Sequence, residues 1–306
     1  MGNRRVGALA VATVLVIGLA GCSDGSDTTT PPANPCQHWE VSTLATGLGA
    51  IENVLRDSDS ALLLSVADAG EVRRFDLESK TVNTVIDDVA SPGGLARRGR
   101  WAYVTTGLTI DAALQGTPTG TIVRFDPTSG RHETWASGLV APNGLAILDD
   151  GSAIATRTLA GQGGTQSLVT RVPGDDPDAL EPRWSDLTGT NGAAADPGGD
   201  WLYVSRVDER AEVWRLDVDD PGKREKVADL GVGTAELLDD LTVTDDGIVY
   251  VAAFVSGKVY RVDPATGRSC AIAEGLEQVS AVELNSRGDR LFATSHDGTL
   301  YELTSP

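Results

Sequence analysis

One pattern constrains this chain more than any other: the same strand–turn–strand unit recurs six times along it. "APNGLAILDDGSAIATRT", residues 141–158, is the clearest copy. Pro-Asn-Gly opens a short apolar stretch, Asp-Asp-Gly turns it, and a second apolar stretch follows. Slid along the chain, it meets "SPGGLARRGRWAYVTTG" from Ser91, "GTNGAAADPGGDWLYVS" from Gly189 and "LLDDLTVTDDGIVYVAA" from Leu237. Weaker copies begin at Ala50 ("AIENVLRDSDSALLLSV") and Gln278 ("QVSAVELNSRGDRLFAT").

A third strand follows most copies and carries its own signature. "GEVRRFDLESKTV", "GTIVRFDPTSGRHETW", "AEVWRLDVDDPGKREKV" and "GKVYRVDPATGRSCAI" alternate, pass through Arg-apolar-Asp, turn, and enter a fourth strand. Period-two alternation identifies the strands, and the Asp-Pro-x-x-Gly runs supply the hairpin turns. A four-stranded unit repeating every forty to fifty residues or so predicts propeller blades. The expected fold is all-β: a six-bladed β-propeller of four-stranded antiparallel blades over residues 36–306. The sixth unit ends near Leu303 after only three strands. "HWEVSTLATG", residues 38–47, fits the missing outer strand, and closing the ring with it removes a free sheet edge.

The net charge of −19 argues against nucleic acid as a partner. Residues 1–21 read as an export signal, with Arg4 and Arg5 before an apolar run from Val6 to Ala20 that is short for a membrane span. The Leu19-Ala20-Gly21-Cys22 ending resembles the lipobox of bacterial lipoproteins. That resemblance implies cleavage before Cys22 and lipidation of its sulfur. Residues 22–35 are then a polar, Pro-containing tether, and the expected location is outside the cell membrane or in the periplasm, held by the lipid alone. In that oxidising setting the two remaining thiols, Cys36 and Cys270, are a natural disulfide pair. A monomer is expected.

Asn143 opens the first strand of its unit, and the same position through the copies reads Glu52, Gly93, Asn143, Asn191, Asp239 and Ser280. The innermost strand of each blade lines a propeller's channel, so these positions converge on one mouth. Each residue alone suits a turn. Four oxygen donors from four blades are another matter: without a cation, Glu52 and Asp239 would repel until one took a proton. Two acids and two amides suit Ca²⁺ or Mg²⁺, Ca²⁺ first, better than a thiophilic metal; Mn²⁺ and Zn²⁺ are the alternatives.

These residues resemble the senescence marker protein, gluconolactonase and luciferin-regenerating-enzyme-like (regucalcin-like) family of six-bladed propellers. The resemblance runs in order through "ENVLRDSDSALLLSV", "APNGLAILDDG", "TGTNGAAADPGGDWLYVS", "DDLTVTDDGIVYVA" and "DRLFATSHDGTLYEL". It implies a divalent metal on Glu52, Asn191 and Asp239, substrate contact at Asn143, and hydrolysis of lactones or related small esters. Asp239 or Asp240 would then steer the attacking water as general base. Three departures stand out. Ala141 sits where the family's enzymes often have Arg, Asp240 follows Asp239 where Gly is usual, and "ENV" replaces Glu-Gly-Pro.

No Gly-x-Ser-x-Gly elbow or His-Glu-x-x-His motif is present. His132 reads as an exposed strand residue, and His296, in "TSHDG", either lines the cavity or, the first choice, is a turn-proximal surface residue. The tryptophans read as blade packing. The long connections 106–120 and 159–167 are either mouth-covering loops or tolerated insertions. Two functions survive: a metal-dependent hydrolase with a small-molecule substrate, or a non-enzymatic propeller that binds a ligand or protein and keeps a structural metal.

Overall fold

Runs of Val, Leu, Ile, Thr and Tyr cut every few residues by Gly, Asp or Pro favour short antiparallel strands over any helix. The computed structural model shows that outcome for residues 34–158 and 168–306. The expected signal segment, Cys22, most of the tether and the 159–167 connection lie outside the described residues.

The chain first lays down β1 (Glu40–Ala45). Blade one is β2 (Ile51–Ser58), β3 (Ala61–Val66), β4 (Glu71–Asp76) and β5 (Val82–Ile86). Blade two is β6 (Leu95–Arg98), β7 (Trp101–Thr106), β8 (Gly120–Phe125) and β9 (His132–Leu139), with helix α1 (Ile110–Gln115) between β7 and β8. Blade three is β10 (Leu145–Ile147), β11 (Ala153–Ala155), β12 (Val169–Val172) and β13 (Glu181–Ser185). Blade four is β14 (Thr190–Ala195), β15 (Trp201–Val207), β16 (Arg210–Asp217) and β17 (Arg224–Val232), followed by α2 (Gly233–Glu236). Blade five is β18 (Leu238–Val243), β19 (Val249–Ala253), β20 (Lys258–Asp263) and β21 (Arg268–Ala273). Blade six is β22 (Val279–Leu284), β23 (Arg290–Ser295) and β24 (Leu300–Thr304), completed by β1.

That closure is antiparallel, with Glu40 opposite Thr304 and Thr43 opposite Tyr301. The chain therefore forms a six-bladed propeller whose last blade takes its outer strand from the N-terminal side.

Alternation along each strand puts apolar side chains on both faces of every blade, and six apolar clusters fill the six spaces between blades. Leu62, Leu64, Phe75 and Phe292 close the seam between blades six and one; Leu63, Val104 and Phe125 close the next. Each such side chain contributes about 1.5–3 kcal/mol on burial. Trp39 packs edge-on against Tyr250 with centroids 5.5 Å apart, while Trp201 lies under the Arg215 guanidinium at 4.3 Å.

Cys36 and Cys270 form a disulfide with Cα atoms 5.7 Å apart. Next to it, Trp39 donates its backbone N–H to Ile272 O at 2.8 Å. The segment ahead of β1 thus lies along the outer strand of blade five before it enters blade six. Because the bond spans 234 residues, it removes much of the unfolded chain's freedom. Cys36→Ser is expected to lower unfolding free energy by about 2–5 kcal/mol, read by urea denaturation under non-reducing conditions.

Candidate functional site at the channel mouth

Each inner strand carries one extra residue near its start. In β2 the register slips between Ile51 and Asn53, in β14 between Thr190 and Ala193, in β18 between Leu238 and Leu241, and in β22 between Val279 and Ala281. Blades two and three do the same just ahead of β6 and β10. Gly93 and Gly94 both bond Thr105, and Asn143 and Gly144 both bond Thr156. A bulge of this kind re-aims a side chain that regular pleating would turn elsewhere. The re-aimed positions are Glu52, Gly93, Asn143, Asn191, Asp239 and Ser280, the column read from the sequence.

Hydroxyls on the second strands tie the column together. Thr105 Oγ1 donates to Asn143 O at 2.7 Å, Thr156 Oγ1 to Asn191 O, and Ser205 Oγ to Asp239 O at 2.7 Å. Each bond runs from one blade to the next. Ser280 Oγ donates to Ile51 O at 2.6 Å, so its side chain is spent on the ring and takes no further part in the mouth. Gly144 and Gly192 let the inner strands approach this closely: a Cβ on Gly144 would lie 2.4 Å from Asn191 O, and one on Gly192 2.6 Å from the Asp240 Cα. The Asn-Gly pairs therefore do two jobs, the Asn facing the mouth and the Gly giving room at the axis.

Glu52, Asn143, Asn191 and Asp239 are all buried. Burial drives the Asp239 carboxyl well above the ordinary range, and the charges of Glu52 and Asp240 push it further; a hydrogen bond with Asn191 offsets part of this. The Oδ1 of Asn191 is buried without a hydrogen-bond partner. Asn143 Nδ2 donates to Thr158 Oγ1 at 2.9 Å, which fixes its amide beside the mouth. Among the described residues no three His, Cys, Asp or Glu side chains converge as a ready metal cage. The donor set is instead mixed, two carboxylates and an orphaned amide oxygen, which fits a hard cation such as Ca²⁺ or Mg²⁺.

The two adjacent acids differ in setting. Asp240 lines the channel below the mouth, where it accepts hydrogen bonds from Asn53 Nδ2, from Leu241 N at 2.8 Å and from Ala193 N. Burial raises it to about 7. Asp239 is the acid coupled to both Glu52 and Asn191.

Of the two readings of His296, the structure favours the cavity over the surface. It is half-buried at the mouth: its Nε2 pairs with Glu52 Oε2, and its ring stands edge-on to Phe254 at 5.0 Å. Burial alone would lower its pKa, but the hydrogen bond and charge of Glu52 outweigh it and raise the value. The turn between β23 and β24 brings His296 to the mouth, and no local pattern announces that. His132, by contrast, is exposed as expected.

Two further residues at the channel carry no signal in the sequence. Arg157, just after β11, is buried; its Nη2 donates to Ala113 O at 2.7 Å, and desolvation lowers its pKa. Ala141 packs against Ala112 and Ala113 under α1, so Arg157 brings a guanidinium to the helix that covers position 141. Glu283 lines the channel at a deeper level with Asp240, and burial raises it to about 7.

Residues 150–297 match the family model described as the SMP-30/gluconolactonase/LRE-like region. That stretch includes Asn191, Asp239, Asp240 and His296; Glu52 and Asn143 fall before it. No curated protein matches the chain. Among solved structures, the chain is similar to a gluconolactonase from Xanthomonas campestris at 21% identity and TM-score 0.69, over 87% of this chain and 89% of that one. A putative gluconolactonase gives 18% identity and TM-score 0.66, over 87% and 92%. A chain of a nidogen/laminin complex gives 18% identity and TM-score 0.59, over 76% and 84%. At these identities the likeness is one of fold.

Two outcomes follow from the channel. Gly144→Ala forces a Cβ onto the Asn191 carbonyl and is expected to cost about 1–3 kcal/mol in thermal or urea unfolding. Glu283 holds its proton more tightly folded than unfolded. Its contribution to stability is therefore fully present below about pH 4.5 and is lost as pH rises toward 7. Glu283→Gln is expected to flatten that fall in a pH series of urea midpoints.

Proposed function

We propose that this gluconolactonase-like propeller is a divalent-metal-dependent hydrolase of lactones or related small esters, working at the channel mouth. The observation that carries the reading is the orphaned Oδ1 of Asn191, whose side chain bonds Asp239, a buried carboxyl that the Glu52 charge repels. His296 meets one oxygen of Glu52, and a cation entering beside Asp239 and the Asn191 oxygen would offset the charge and the unmet acceptor that remain. Glu52, Asn191 and Asp239 are the residues that would hold the ion, Ca²⁺ first. Such a cation supplies Lewis-acid polarisation of a carbonyl oxygen.

The chain's own groups do the rest. Asp239, at the mouth with Glu52 and Asn191, is suited to take the proton of a water that attacks the carbonyl carbon. Asn143, pinned through Thr158, presents an amide to the substrate's oxygens. Arg157 adds a cation on the side where Ala141 offers none. His296, hydrogen-bonded to Glu52, orients that carboxylate. Asp240, engaged in the channel wall, supports Asp239 and does not reach for substrate.

Ala141 favours a second reading, a non-enzymatic propeller that binds a ligand around the same cation. Turnover separates the two. The chain is expected to open aldonolactones in the presence of Ca²⁺, Mg²⁺, Mn²⁺ or Zn²⁺ and to lose that activity with chelator. Asp239→Ala should lower kcat/KM by about a hundredfold or more. Absence of metal-stimulated turnover on lactones and aryl esters alike would leave the binding reading standing.

A further inference from the structure

The third strand of blades one to five carries the same arginine, and in four of them it is neutralised. Arg74 pairs with Asp57, Arg124 with Glu133, Arg171 with Asp150 and Glu181, and Arg215 with Glu225. In blades two, three and four a partner is the glutamate directly opposite on the outer strand. Blade five breaks the pattern. The residue opposite Arg261 is Cys270, which the disulfide occupies. Among the described residues, no carboxylate lies within ion-pair distance of Arg261; its side chain bonds Tyr250, opposite it on β19, and Asp263 is near enough to feel its charge.

Arg261 borders a cleft of about 470 Å³ at the end of the channel away from the metal mouth. The cleft lies where β18 and β22 finish, roughly 20 Å along the strand from Asp239. Arg56, near the end of β2, also lines it and likewise has no ion-pair partner among the described residues, although Glu283 stands near enough to feel its charge. Arg287 lies on the rim, 3.7 Å from Asp289. In a chain of net charge −19, two guanidinium groups facing one cavity without a paired carboxylate are the exception. Polar groups complete the wall: the Asn285 amide, the Tyr250 hydroxyl, the Glu283 carboxyl, and the carboxylates of Asp245 and Asp246 on the β18–β19 turn. Asp246 accepts from Thr244 Oγ1 at 2.5 Å, so one of its oxygens already has a donor.

We propose that this far-mouth cleft is a second binding site, for a small carboxylate that carries several hydroxyls, a sugar acid in size and polarity. Arg261 and Arg56 meet the carboxylate, as guanidinium groups do best. Asp245, Asp246 and Asn285 accept or donate to the hydroxyls. The volume falls within the range of small-molecule pockets. The loss of the opposing glutamate in blade five is what makes Arg261 available.

The test is calorimetric titration of D-glucuronate into the full chain, with Asp239→Ala as a second background so that the metal mouth makes no contribution. Glucuronate is expected to bind both proteins equally, methyl glucoside not to compete, and Arg261→Gln and Arg56→Gln each to weaken binding about tenfold. Thermal unfolding of the two variants checks that each is folded. Failure of glucuronate to bind, binding of inorganic phosphate alone, or unchanged affinity in both arginine variants would overturn the proposal. None of these outcomes depends on lactone turnover.

Discussion

One extra residue per inner strand, inserted at the same level in all six blades, is the constraint from which the mouth follows. A regular strand would pair through this level and send successive side chains to the two neighbouring seams. The bulge interrupts that alternation and gives each blade one position facing the axis. It also exposes a backbone carbonyl there, which the preceding blade's hydroxyl or amide takes up. Gly94 N and Thr105 Oγ1 both reach Asn143 O, and Gly144 N with Thr156 Oγ1 both reach Asn191 O. The same distortion that aims the donors also holds neighbouring blades together.

Electrostatics divides the molecule along its axis. On the outer blade surfaces, acids and arginines neutralise each other across strands, and exposed pairs of that kind add little stability. Along the axis the acids accumulate without arginine ion pairs: Glu52, met by His296, and Asp239 at the mouth, Asp240 and Glu283 below. Burial disfavours the charged forms of Asp239, Asp240 and Glu283, so the channel is a region where folding has been compromised for something else. A structure selected for stability alone would place apolar residues there.

Much of this was legible in the sequence, for physical reasons that differ by residue. The blades could be read because strand alternation and Gly-Asp turns are local, and the closing strand because a three-stranded last blade leaves an edge to cover. The column could be read because the six copies align at the turn before each inner strand. The ambiguity between Asp239 and Asp240 arose from the bulge itself: two consecutive residues face the axis at different depths, which no period-two pattern anticipates. Glu283 was hidden by the same phase shift, since in "SAVEL" its channel-facing position is apparent only once Ala281 is known to follow a bulge. His296 and Arg157 lie in connections, where the backbone path sets direction and alternation says nothing.

The ring is fastened where β1 meets β24, and that pairing joins the earliest described strand to the last. A chain emerging in order can build blades one to five from neighbours, each from its own hairpins. β1 has no hydrogen-bonded sheet partner until β24 has formed, so its edge stays open for almost the entire span of the domain. Final locking is then a long-range event, slower than the hairpins that precede it. Until it occurs, the molecule is an open arc with two unsheathed borders, and whatever shields those borders meanwhile decides whether it closes on itself or on a neighbouring copy.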